Sequence, residues 1–208
     1  EGACTAYIGV KTVGTTTTTS YPLGTQATEK TVEYLDNVEY NNEDLFHTEV
    51  TRYHTLNDNA LIGINGISIF SSVANADVTA YMERFGICGW VASNRYTYQE
   101  SSPVTNMFLN MKYLISPNGY FLDKEHTKLA HQEGNVKLLQ NKYYIPQGFM
   151  VNEDILDFNV SAASINPFDN QNELFRLATG LDGNVYEALE VVSQGHTDSE
   201  IFPMSKNG

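Results

Sequence analysis

Between residues 89 and 102 the chain gathers Trp90, Asn94, Arg95, Tyr96, Tyr98 and Gln99 into one polar, aromatic-rich stretch. That mixture suits a hydroxylated ligand such as a sugar. Indole and phenol faces stack on a pyranose ring, while amide and guanidinium groups supply directional hydrogen bonds. Ser71 and Ser72, upstream, can add hydroxyls. The candidate substrate-binding residues are therefore Trp90, Asn94, Arg95, Tyr96, Gln99, Ser71 and Ser72. The same aromatics have a commoner use, which is to pin a long loop onto the core. Spacing alone does not separate the two.

Other chemistries find less support. The chain has no nucleophile elbow, P-loop, dinucleotide fingerprint or HExxH motif. His126 and His131 are spaced poorly for one metal on a helix face, and His47 and His54 fall on opposite faces of a strand. All five histidines are read as surface or hydrogen-bonded structural groups, so no metal ligand and no cofactor is assigned. Glu153 and Asp154 sit where a short helix begins, and its dipole favours acids there. Paired acid–base work needs carboxylates that converge in space, so no catalytic residue is assigned.

The elements that hold these residues follow from periodicity. Val32, Leu35 and Val38 set a helix over 28–38, and Phe46 to Thr55 alternates like a strand. Asn75 caps a helix with Val78, Tyr81, Met82 and Phe85 as its stripe and Gly86 as its stop. Ser102-Pro103 opens another helix, which runs directly into a buried strand over 112–116. Residues 120–135 read as a loop, 136–139 and 142–145 as a hairpin around Gln140-Asn141, and 152–158 as a short helix. The Thr15–Thr19 run fits a strand or an extended loop, and 185–192 fits a returning strand.

A capped helix spans 170–179. Asn170 serves as N-cap, Glu173 closes a capping box, and Gly180 stops it. The polar run before it, Asn166-Pro167-Phe168-Asp169-Asn170-Gln171-Asn172, is denser than capping requires.

Bulk properties set limits. The 208 residues suffice for one real core, and 41% hydrophobic content with 13 Tyr and 10 Phe marks a folded chain. A net charge of −13 disfavours nucleic acid and anionic membrane surfaces as partners. No apolar run reaches the roughly 18 residues of a membrane span. Cys4 and Cys88 can form a disulfide in an oxidising compartment or stand as free thiols. The start at Glu1 and the polar end suggest a domain excised from a larger protein. The expected fold is α+β: one domain over 1–208, a mixed sheet flanked by about four helices.

Several segments line up in order. They are Tyr7-Ile8-Gly9, Phe46–Arg52, Asn57-Asp58-Asn59-Ala60, Gly66–Ser72, Tyr96–Gln99 with Ser102-Pro103-Val104, Met111–Ser116, Ile145–Met150, and the Asn166 block. Together they resemble the large extracytoplasmic domain of the bacterial YfhO family. The resemblance implies a polytopic membrane protein similar to GT-C glycosyltransferases. Such a protein takes sugar from a polyprenyl-phosphate donor to a Gram-positive cell-envelope polymer such as lipoteichoic acid. It implies as partners the parent's own transmembrane helices and a glycan or teichoic-acid acceptor, on the extracytoplasmic face. The catalytic acid of such enzymes lies in an early loop outside this chain, so none is carried over. The family's Phe-Tyr-Arg pattern stands here as Phe46-His47-Thr48, with Arg52 further on.

Overall fold

The computed structural model describes residues 2–12, 25–39, 44–53, 55–89, 94–99, 101–118, 125–159 and 164–190. Trp90, His54 and the Thr15–Thr19 run lie outside them. Helices α1 (Gly2–Thr12) and α2 (Gln26–Glu39) precede strand β1 (His47–Val50). A long crossover then holds α3 (Asp58–Ile62), β2 (Ile69–Phe70), α4 (Ala76–Arg84), β3 (Cys88–Gly89), β4 (Arg95–Thr97) and α5 (Pro103–Phe108). Strands β5 (Met111–Pro117), β6 (Thr127–Glu133) and β7 (Val136–Asn141) follow, then a 3₁₀ turn (Glu153–Asp157) and α6 (Pro167–Thr179). The chain is α+β with a mixed sheet, as its patterning predicts.

The main sheet runs β1-β5-β7-β6, with β1 parallel to β5 and the other pairs antiparallel. Central β5 is covered on both faces, so it reads as an apolar run rather than an alternation. Its pleat divides the core. Leu114 and its neighbour Leu139 face a cluster with Ile67, Met82, Ile87 and Tyr98. Ile115 and its neighbour Leu138 face a second cluster with Val50 of β1 and with Val32 and Leu35, which α2 supplies. A smaller antiparallel sheet, β2-β4-β3, backs onto the first cluster through Tyr96.

Helix punctuation follows the sequence at two sites. Asn75 Oδ1 accepts from the backbone N–H of Asp77 and Val78, and Ser102 Oγ accepts from Thr105 N. Val78 of the expected α4 stripe is exposed, and Thr79 and Met82 are the buried residues of that helix.

Other expectations need correction. Residues 127–133 are a strand rather than loop, and the hairpin joins β6 to β7 through Gly134-Asn135. Edge position explains the miss: most of β6 faces solvent, so its sequence carries no hydrophobic period. Residues 142–145 form no strand, because the Asn141 side chain bonds Met111 O and Tyr143 N and turns the chain away. The strand expected over 46–55 narrows to β1. The stretch 89–102, expected as loop, contains β4. Residues 185–190 are not a strand; the amides of Val185 and Tyr186 bond the Asn172 side chain instead. Helix α6 starts earlier than expected. Asn166 caps it by accepting from Phe168 N, and Pro167 takes the first turn, where a missing N–H costs nothing. Asn170 is therefore interior, and Glu173 pairs with Arg176 at 2.6 Å rather than closing a capping box. Gly180 does end α6, at φ +67. Helices α1 and α3 were not foreseen.

Candidate functional site

Ribbon 66–72 carries two of the expected site residues, and polar side chains hold most of its backbone. Glu49 on β1 is 3% exposed, and its Oε2 accepts from Ile67 N at 2.7 Å and Ser68 N at 3.0 Å. Asn59 Nδ2 donates to Ser68 O, and Ser68 Oγ accepts from Tyr98 N. Asn57 brackets Phe70: Oδ1 accepts from its N–H at 2.8 Å and Nδ2 donates to its carbonyl at 3.1 Å. Gly66 makes this closeness feasible, since a Cβ there would lie 2.7 Å from both Glu49 Oε2 and Asn59 Cβ. Burial raises the Glu49 carboxyl above its ordinary pKa, against the smaller opposing effect of its backbone donors.

The expected site residues gather partly around this ribbon. Ser71 N donates to Asn94 O at 3.0 Å, and Arg95 lies directly opposite Phe70 in the β2–β4 pair. Ser72 is exposed beside Ser71. Asn94 Oδ1 is buried and has no hydrogen-bond partner among the described residues. Tyr96 turns the other way, packing against the first core cluster, and burial raises its phenol pKa. Gln99 Nε2 donates to the hydroxyl of Tyr53 at 3.1 Å. Tyr98, 1% exposed, bonds Asn106 through its hydroxyl. Among the described residues, Ser71, Ser72, Asn94 and Arg95 form one polar edge, Gln99 sits with Tyr53, and Tyr96 faces inward. The crevice lined by Tyr81, Met82, Phe85, Phe108 and Leu174 encloses only ≈ 10 Å³, about the room of one water.

Sequence reasoning passed over Glu49, Asn57 and Asn59 as site-building residues. Their signal is an acid within a buried strand and a dense Asn-Asp-Asn turn, both features that caps and solvated turns also produce.

Two further polar hubs are structural. Asn170 Nδ2 donates to the carbonyls of Arg84 and Ser164, and Gln171 Nε2 donates to Phe85 O while its Oε1 accepts from Ser102 Oγ. Asn172 takes the N–H groups of Val185 and Tyr186 and donates to Tyr186 O. The dense polar run of α6 thus ties four segments, at 84–85, 102, 164 and 185–186, to one helix. At the start of β5, Lys112 Nζ lies 2.9 Å from Glu39 and 4.6 Å from the Phe46 ring centroid. Tyr113 hydroxyl donates to the same carboxylate at 2.6 Å, and burial raises its phenol pKa well above the ordinary value.

Two of the described histidines are engaged locally. His47 Nδ1 donates to Leu109 O at 2.7 Å, and His131 stacks on Tyr34 with ring centroids 3.8 Å apart. Among the described residues no cluster of three or more His, Cys, Asp or Glu converges for a metal ion. Cys4 and Cys88 are both exposed free thiols. No helix among the described residues is long and apolar enough to cross a membrane.

The ribbon, the α6 hub and β5 lie within residues 4–202, which match the model of a family of bacterial membrane proteins. That family is the bacterial membrane protein YfhO, and the chain belongs to it. No curated protein and no solved structure matches the chain.

Proposed function

We propose that residues 1–208 form an extracytoplasmic domain of a membrane glycosyltransferase-like protein. That protein glycosylates a cell-envelope polymer such as lipoteichoic acid from a polyprenyl-phosphate sugar donor. The domain supplies no catalytic group; it helps hold the acceptor or shapes the cleft over the membrane part. One observation carries this reading: Ser71, Ser72, Asn94 and Arg95 gather at the end of a ribbon whose Ile67, Ser68 and Phe70 backbone groups are held by Glu49, Asn57 and Asn59. Hydroxyl and guanidinium groups beside a fixed backbone are what an open-surface saccharide site needs. Family membership places the chain in a membrane protein.

A second reading, a domain that only braces the membrane part or recruits a partner, is favoured by the inward packing of Tyr96. The two part on one experiment. The full-length protein in lipid nanodiscs is titrated with lipoteichoic acid, with Arg95→Ala/Gln99→Ala beside wild type. Acceptor holding predicts about tenfold weaker binding in the double variant, the scale of one or two lost hydrogen bonds. Equal binding supports the bracing role.

A further inference from the structure

We infer that Phe70 is the platform on which a sugar ring of the acceptor stacks, with Arg95 at the ring's edge. The inference rests on the acceptor-holding reading above and names the aromatic that reading needs. The pleat supplies the first argument. In the β2–β4 pair, Ile69 is opposite Tyr96 and Phe70 is opposite Arg95, so the two pairs lie on opposite faces. Tyr96 packs on the core, whereas Phe70 is 41% exposed. The outer face of this pair therefore presents an aromatic ring beside a guanidinium, followed in the chain by Ser71 and Ser72.

The second argument is the holding of Phe70. Its N–H and carbonyl are both taken by Asn57, and Ser71 N next to it is bonded to Asn94 O. Two residues back, Ser68 is held by Glu49 and Asn59. Burying a carboxylate to hold a surface ribbon is costly compared with apolar packing, and it gives positional precision in return. That precision serves the residues at the ribbon's end. An aromatic face flanked by hydroxyl and guanidinium groups matches a pyranose: the apolar ring face meets the phenyl, and the equatorial hydroxyls meet the polar groups. Glu49, Asn57 and Asn59 are positioning residues for this platform.

The test uses the full-length protein in cells that lack their own copy, with glycosylation of the envelope polymer and membrane abundance as readouts. Phe70→Leu keeps apolar bulk without a flat face, and Phe70→Trp keeps the face. Leu129→Ala, at an exposed site on β6, controls for surface change. The expected result is about a tenfold loss for Phe70→Leu, with Phe70→Trp and Leu129→Ala within twofold of wild type at equal abundance. Wild-type glycosylation by Phe70→Leu, or an equal loss in Phe70→Trp, overturns the platform. If abundance falls in Phe70→Leu, binding of lipoteichoic acid per purified molecule decides: unchanged affinity also overturns it. The acceptor-holding reading fails separately, when replacing residues 1–208 leaves glycosylation intact.

Discussion

Glu49 is the residue on which the candidate site most depends. Its folded-state pKa is raised above the ordinary 4.5 by burial. The folded chain therefore binds that proton more tightly than the unfolded chain does. The stabilisation linked to this proton is full below 4.5 and is lost as pH rises through the raised value. Urea unfolding across that window is expected to show stability falling with pH in wild type and a flatter profile in Glu49→Gln. A Gln amide oxygen can still accept from Ile67 and Ser68 N–H without burying a charge. Glu49→Ala leaves both donors orphaned and is expected to cost about 2–5 kcal/mol. Equal pH profiles in wild type and Glu49→Gln would contradict the assignment. The Lys112–Glu39 ion pair makes a parallel case. Lys112→Met removes the cation from the mostly buried Glu39 carboxylate, so a loss of about 2–4 kcal/mol is expected in the same assay.

Elements in this chain are joined by side-chain amides as much as by apolar faces. Asn172 does for residues 185–186 what a neighbouring strand would do, and Asn172→Leu is expected to speed amide exchange at Val185 and Tyr186 while α6 stays protected. Protection unchanged at both amides would show that other contacts hold the segment. Gly180→Ala is expected to destabilise by roughly 1–2 kcal/mol, because φ is +67 and the new Cβ would meet Asn152 Nδ2 at 2.7 Å. Thermal melts check it. The pattern explains what sequence could reveal. Helices α2, α4 and α5 and strand β5 were legible because period and caps act locally, through Val32 and Leu35, Asn75, or Ser102-Pro103. Strand β6 and the true start of α6 were not: an edge strand has no apolar period, and Asn166 and Asn170 are equally good caps until Asn170 is seen reaching Arg84 O. The site was half legible. Ser71, Asn94 and Arg95 do meet, but pleat parity, which turns Tyr96 inward and Phe70 outward, depends on a pairing register that no single sequence states.

At the scale of the whole molecule, the chain is an α+β unit of a bacterial membrane protein family, and none of its described helices can cross a bilayer. The polar staples Glu49, Asn57 and Asn59 converge on the 66–72 ribbon, and the net charge of −13 leaves recognition to stacking and hydrogen bonds rather than to general attraction for a polyanion. The proposal that this unit serves glycosylation of the envelope polymer has a direct test. The direct measurement replaces residues 1–208 of the full-length protein with a flexible linker and quantifies sugar on lipoteichoic acid, with membrane abundance checked by immunoblot. The account predicts at least a tenfold loss of glycosylation at unchanged abundance. Wild-type glycosylation by the linker variant would contradict it.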